Sequence, residues 1–462
     1  MSKTFRGYQP EQRLLLPPSL EEWLPEGHLA LFVSDVVGEL DLQEIYDSYE
    51  EDGRGMAAYH PVLMTKLLFY GYCVGRASSR KLEQATYEDV AVRYLAADQH
   101  PDHDTIAEFR RRHLAALGRV FAQVVRMCAK AGLVRLRHVA IDGTKMRANA
   151  NRHRWLSYQR MEEEQRKLEA EMAEWLRHSE EVDAAEDAEY GQGCRGEELP
   201  PELRTAEKRL AKIRELKKEL EQEAREAAEK KKAEVEKRLA ERRAEEEQRG
   251  RRFGGRVPRV PEKEEGQAKP NAQRNLTDAE SRIMKDGATN SFQQCYNAQI
   301  AADEKCQVIV AARVTQAAHD REQLVPNLKE VERNTGRKPE QASADCGYYD
   351  PDHLRDGYLD DVDVYLPPVP EPRTPPGQQA SRWARNGPLL DRLREQMSRP
   401  ERQTIYRKRQ GIVEPVFGQI KQCRGFRQFL LRGLQQVTAE WQIICTTHNL
   451  LKLYRYGGAT NV

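Results

Sequence analysis

Three carboxylates stand where metal chemistry would put them. Asp142 closes the apolar run RHVAID and is followed by Gly143, Asp345 closes EQASAD before Cys346-Gly347, and Glu414 lies in the helix-like stretch RQGIVEPVFGQIKQ. An acid at the end of an apolar strand is costly to bury unless it is paired or bound to a cation. Two such acids on adjacent strands, with a third on a facing helix, would hold two Mg²⁺ ions roughly 3.5–4 Å apart, a clamp on the attacking and leaving oxygens of a phosphoryl transfer. Mg²⁺ retains several waters, so three side chains suffice. Taken singly, each acid is more simply an ordinary strand-end or helix-surface residue. The order strand-Asp, strand-Asp, helix-Glu favours the metal reading.

The surroundings of Glu414 point the same way. Glu414 and Lys421 are two helical turns apart and share a face. Val413, Phe417 and Ile420 form the apolar stripe beside them. Pro415 removes a backbone donor, so a new helix is expected to start there, with Glu414 just before it. From Arg373 to Arg432 there are 14 basic and 4 acidic residues, although the whole chain balances 75 basic against 74 acidic for a net charge of +1. That local excess is the electrostatic footprint expected of a surface for a phosphate backbone.

Other polar clusters read more simply. His100-Pro-Asp-His103, with Asp98 and Asp104 nearby, lacks a matched second half and reads as a polar loop rather than a metal site. Asp360, Asp361 and Asp363 read as a solvated turn before a strand. Asp303 ends a strand-like run and is a rival metal ligand. Arg282 and Lys285 in SRIMK are candidates for DNA contact or for a plain surface role. Trp155 and Trp383 have the chemistry to stack on a flipped base, but core packing is the simpler role for a lone Trp.

The elements that position these groups can be read along the chain. Ser19-Leu-Glu-Glu22 is a capping box, followed by helical periodicity through His28–Leu40. A helix is expected from Pro61 to Cys73, ended by Gly75, and another capped by Ser78 or Ser79 that carries Arg80. Thr105-Ile-Ala-Glu108 is expected to open one long helix reaching Lys130, with the basic cluster Arg110-Arg111-Arg112-His113 near its start. These short basic helices fit a helix-turn-helix-like DNA-binding unit, and fit a helical packing domain equally well. After the Asp142 strand come YNAQIAAD and QVIVAARVTQ as antiparallel strands, a helix over Asp320–Val331, the strands EQASAD and VDVYLP, and helices from Thr404 to about Phe426 and from Leu434 to Tyr454.

Between the first strand and the rest lies a compositional break. The 462 residues are 32% charged, against a typical share of about 25%. The excess sits in TAEKRLAKIRELKKELEQEAREAAEKKKAEVEKRLAERRAEEE. Leu203, Ala206, Leu210, Ile213, Leu220, Ala224 and Ala227 trace a weak coiled-coil seam, which Lys217 and Lys231 interrupt and from which Leu216 lies one residue off. A helical hairpin is the preferred reading and a single solvated helix the alternative. The resulting division is a helical domain over 1–135, a first catalytic strand over 136–154, a helical arm over 155–252, a linker over 253–275 and the rest of an α/β domain over 276–456. No apolar run is long enough for a membrane span. The first residues lack a signal-peptide core. The eight cysteines form no CxxC pair, which argues against a zinc ribbon and for reduced cytosolic thiols.

Taken in order, GRASSRKLEQATYEDVAVRYLA, PDHDTIAEFRRRH, HVAIDGTKMRANAN, TDAESRIMK with CYNAQIAAD, ADCGYYD and YRKRQGIVEPVFGQIK resemble the DDE transposases of bacterial insertion sequences, from about Tyr8 to Tyr454. The branch resembled has a helical N-terminal domain and a helical arm after its first aspartate. The resemblance implies a ribonuclease-H-like mixed-sheet fold, with Asp142, Asp345 and Glu414 as a catalytic triad that binds two Mg²⁺ ions, for which Mn²⁺ can substitute. It implies a signature of Tyr406, Arg409, Glu414 and Lys421. Four residues rather than three separate Arg409 from Glu414, which brings Lys408 and Gln410 into contention for that place. DNA contacts are expected from Tyr406, Arg409, Lys421, Arg80, Arg110, Arg282 and Lys285. The implied activity is phosphodiester hydrolysis at the element's ends and strand transfer into target DNA. It would act on terminal inverted repeats, as a homodimer in the synaptic complex, in the bacterial cytoplasm at the nucleoid. The competing readings are a structure-specific nuclease of the same fold and a catalytically inactive DNA-binding scaffold.

Overall fold

The computed structural model describes residues 19–49, 57–151, 154–190, 201–250, 257, 267–285, 291–355, 357–367 and 391–457. Trp383 and most of the 253–275 linker lie outside them. The amino-terminal part is helical: α1 Leu29–Glu39, α2 Gln43–Tyr46, α3 Pro61–Cys73, α4 Ser79–Glu88, α5 Val90–Leu95, α6 His103–Arg112 and α7 Leu114–Lys130. Helix α3 has its expected bounds, with Pro61 in the first turn, where a missing N–H costs nothing. The Ser19 hydroxyl does accept the Glu22 amide at 3.3 Å, but around a turn, and α1 begins only at Leu29, where His28 Nδ1 accepts the Ala30 amide. The long helix expected from Thr105 is two helices. Asp102, not Thr105, caps the first of them, and the chain leaves helical geometry at His113.

The sheet runs β4 (Arg282–Lys285), β5 (Phe292–Asp303), β1 (His138–Arg147), β7 (Gln341–Ser343), β8 (Asp363–Tyr365), with β6 (Ile309–Thr315) also paired to β5. β5 is antiparallel to β1, β4 and β6, whereas β1, β7 and β8 are parallel, so the sheet is mixed. The remaining strands are β2 (Trp155–Ser157) and β3 (Gln273–Asn275), which make a small separate antiparallel pair. Asp142 does not end its strand. β5 accompanies β1 along nearly its whole length and carries it on to Arg147, leaving Asp142 in mid-strand opposite Ile300. β7 is shorter than expected and pairs only His138–Ala140, so Asp345 lies just past its end. Helix α10 is Leu324–Thr335 rather than 320–331, which leaves Asp320 in the preceding loop.

After β8 come α11 over residues 391–398, α12 (Pro400–Gly418) and α13 (Leu434–Gly457). Pro415 does not start a new helix. It sits inside α12, where it cannot donate to the carbonyl of Gly411 four residues back, and the Gln307 side chain donates to that carbonyl instead at 2.9 Å. One hydrophobic core runs from α1–α7 through the sheet to α12 and α13, with Trp441, Tyr72, Phe69 and Phe121 among its largest members.

The arm is a helical hairpin of α8 (Tyr158–Tyr190) and α9 (Pro201–Arg249). Its own small core holds Met161, Leu168, Leu210, Ile213, Leu216 and Leu220. Leu216, expected off the seam, is fully buried, and Ala227 is exposed. The reason is geometric. A straight helix against one partner buries a stripe of period 3.6, which admits 213, 216 and 220 together. Tyr158, where α8 begins, donates to Glu221, so α9 continues for 28 residues past the base of the hairpin, roughly 42 Å of helix at 1.5 Å per residue.

Candidate active site

Asp142 and Asp345 come from neighbouring parallel strands. Because β7 stops at Ser343, β1 has no strand partner on that side between Ala140 and Arg147, where it meets Arg427 and Phe429, and the Asp345 segment borders the cleft so left. Asp345 is extended and accepts the Gly347 amide at 2.9 Å, capping a single 3₁₀ turn over Cys346–Tyr348. Asp142 accepts the amide of Gly143, also at 2.9 Å. Burial pushes the Asp142 carboxyl up to about 6. Arg409 and the Gly143 amide work against that rise, while the negative charges of Asp345 and Asp320 add to it.

Helix α12 supplies the positive charge. Arg409 Nη1 is 3.3 Å from Asp142 Oδ2, and its side chain is only 11% exposed. Lys408 and Gln410, the alternatives raised by the spacing, are exposed, and it is Arg409 that reaches Asp142. Burial opposes the charge on Arg409, but Asp142, Tyr406 and Asp345 outweigh it and raise the guanidinium above its ordinary value. Tyr406 lies one turn away, its ring 5.9 Å from that guanidinium. Lys421, in the π-helical turn Gln419–Cys423 that follows α12, crosses to β1, where it donates to Thr144 Oγ1 and, at 3.1 Å, to the Lys145 carbonyl. Glu414 is different. It is exposed on α12 and makes no hydrogen bond or ion pair with the described residues, while Val413, Val416 and Ile420 form the buried stripe.

The remaining expected contacts divide. Arg80 and Lys285 are exposed. Arg110 is buried at 7% exposure and donates to the Ala77 carbonyl, so it is a structural residue and not available to DNA. Arg282 is likewise occupied, donating to the Ala279 and Ser281 carbonyls and pairing with Glu223 of the arm at 3.2 Å. Asp303, the rival ligand, is fully buried and accepts the amides of Arg135, Leu136 and Lys305. Those bonds hold Leu136 at a φ of 56°, turning the chain into β1, and leave Asp303 no role in the cleft. His100 and His103 contact Thr86 and Glu83 separately, as a polar loop would. Asp363 pairs with Arg402 at 2.7 Å.

The residues that the sequence did not single out lie behind β1. Asn297 and Gln299 of β5 stand opposite Lys145 and Gly143 and converge on Asp320. The available signal was a pair of carboxamides two apart in the otherwise apolar run YNAQIAAD, on one face of a strand.

Residues 18–112 match the family described as Transposase domain (DUF772), and residues 380–454 match Transposase DDE domain. Together the two matches support an insertion-sequence DDE transposase. The second covers Tyr406, Arg409, Glu414 and Lys421; the first covers Arg80 and Arg110; Asp142 and Asp345 lie between them. No curated protein and no solved structure matches the chain. Transposase domains indicate a function in transposition, and such proteins generally bind DNA and depend on divalent metal. Among the described residues no group of three or more His, Cys, Asp or Glu is gathered closely enough to hold a metal ion. Asp142 and Asp345 nonetheless fit as hard oxygen donors: the negative charge of Asp345 acts on the half-buried Asp142, whose nearest cation is the Arg409 guanidinium. Among the described residues no helix is long and apolar enough to cross a membrane.

Proposed function

We propose that this chain is a DNA transposase with a ribonuclease-H-like catalytic domain. It hydrolyses a phosphodiester at each end of its element and joins the freed 3′-hydroxyl to target DNA. The observation that carries the reading is the placement of Asp142 on β1 and Asp345 just past the adjacent parallel strand, with Arg409 of α12, inside the DDE match, 3.3 Å from Asp142. When bound, a pair of Mg²⁺ ions would supply Lewis-acid stabilisation of the phosphate and lower the pKa of an attacking water.

The chain's own residues do the rest. Asp142 and Asp345 hold the ions. Glu414, exposed and without a competing partner, completes the ligand set. Arg409 neutralises Asp142 in the absence of metal and turns to a phosphate oxygen of the bound strand, and Tyr406 beside it lines the DNA path. Lys421, tethered to β1 by Thr144, keeps α12 against the strand that carries Asp142. Positioning and fixed charge are the main levers in phosphoryl transfer, where little covalent chemistry falls to the protein. The helical domain reads the terminal inverted repeats with exposed residues such as Arg80, Lys285 adds a backbone contact, and synapsis of two ends requires at least two copies. The arm contacts DNA or the second copy. The setting is the bacterial nucleoid.

The test is Mg²⁺-dependent cleavage of a plasmid carrying the DNA that flanks this gene, with Asp142→Asn, Asp345→Asn and scrambled ends alongside. Cutting at the native ends by the unaltered protein alone supports the proposal. Equal cutting of scrambled ends would instead identify a general nuclease, and binding without cutting in Mg²⁺ and Mn²⁺ a DNA-organising protein.

A further inference from the structure

A buried polar knot links the two aspartates from behind. Gln299 is its hub, fully buried in β5 between the apolar residues Ala298 and Ile300. Its Nε2 donates to Asp320 Oδ1 at 2.6 Å, where Asn297 Nδ2 also donates at 2.6 Å. Its Oε1 accepts the Tyr348 hydroxyl and, at 3.3 Å, Asn327 Nδ2. Both sides of the carboxamide are thus used.

The two ends of the knot reach the two aspartates. On one side it presses on Gly143, the residue after Asp142. A Cβ there would lie 2.1 Å from Gln299 Nε2, 2.9 Å from Asp320 Oδ1 and 3.0 Å from Asn297 Oδ1, so only glycine lets the knot close against β1. On the other side Tyr348 belongs to the 3₁₀ turn that Asp345 caps. β7 has already ended there, so no strand pairing holds Asp345 at a set distance from β1. The bond from Tyr348 to Gln299 supplies that link. Replacing a buried polar network by apolar side chains is often neutral or stabilising, so what the directed bonds of Gln299 contribute is geometry rather than stability.

We infer that Gln299, anchored by Asp320, is a positioning residue that sets the spacing of Asp142 and Asp345 through Gly143 and Tyr348. The inference rests on the proposed metal-holding role of those aspartates. Residues behind the ligands of a metal site commonly change its affinity about 10–100-fold when altered. Mg²⁺ is the most demanding ion for such spacing because it requires near-ideal octahedral geometry.

The experiment is a Mn²⁺ titration of the full-length protein without DNA, read from the electron paramagnetic resonance signal of free Mn²⁺, with a thermal melt on each variant. Tyr348→Phe removes one hydroxyl, Gln299→Leu keeps the shape but removes the hub, and Asp142→Asn removes a ligand. Trp441→Phe is the structural control, since Trp441 Nε1 donates to the backbone carbonyl of Gln299 at 3.1 Å and does not touch its carboxamide. Folded Tyr348→Phe and Gln299→Leu are expected to bind Mn²⁺ about tenfold more weakly, and Trp441→Phe to melt earlier with unchanged affinity. Wild-type affinity in both variants, with binding lost in Asp142→Asn, would overturn the inference and leave the proposed function standing. Wild-type affinity in Asp142→Asn would overturn the metal-holding role itself. If Gln299→Leu does not fold, Tyr348→Phe decides alone.

Discussion

Asp142→Asn is expected to stabilise the metal-free protein, and to do so more at high pH. The ionised carboxylate is held in a cleft where its side chain is 23% exposed and where Asp345 and Asp320 repel it. Its pKa rises from 3.8 to about 6, first through burial. The folded state therefore keeps the proton to higher pH than the unfolded chain. The stability linked to that proton is fully present below 3.8 and is lost as pH climbs through about 6. About two pH units at about 1.36 kcal/mol each is roughly 3 kcal/mol, lost in full by pH 8 and about half lost at pH 5. Asparagine keeps the shape and the oxygen that accepts the Gly143 amide, but carries no charge. Its advantage over the native protein should be about 3 kcal/mol at pH 8 and about half that at pH 5, both less some solvent screening. The assay is a denaturant melt of both proteins in EDTA across that range, with the midpoint compared at constant slope. A variant no more stable than wild type at pH 8, or an offset independent of pH, would refute the claim that burial and the neighbouring acids outweigh Arg409 at this carboxylate.

Three further outcomes follow from the same geometry. Arg409→Ala removes the cation nearest Asp142, so the folded-state pKa of Asp142 should rise further and the pH-dependent loss of stability should extend above pH 6, as read from melts in EDTA. Gly143→Ala forces a methyl into the Gln299 carboxamide and should cost about 1–3 kcal/mol of stability by overpacking, measured as a lower denaturant midpoint. Glu440 is fully buried on α13 and accepts the amides of Leu430 and Leu431, so Glu440→Ala should cost about 1–3 kcal/mol for the stranded donors, with Glu440→Gln recovering part of the loss.

By itself the sequence determined the helical character of the described residues up to 130, the bounds of α3, the arm's helical composition, and the strands around Asp142, Asp345 and YNAQIAAD. These follow from periodicity, capping and propensity, which act over a few residues. That Tyr406 and Arg409 lie one turn apart on a common face was also legible, because residues three or four apart are neighbours wherever a helix forms. What needed the tertiary structure was everything set by a partner distant in sequence. β5 carries β1 past Asp142, the short β7 frees Asp345, and Gln307 rescues the carbonyl that Pro415 leaves open and keeps α12 in one piece. Burial and internal bonds separated Arg110 and Arg282 from Arg80, although all three are the same residue type. The knot of Gln299, Asp320 and Tyr348 joins residues up to 49 apart in sequence. Its members become neighbours only when antiparallel and parallel pairing bring three separate segments to one place behind β1, and no local pattern encodes that meeting.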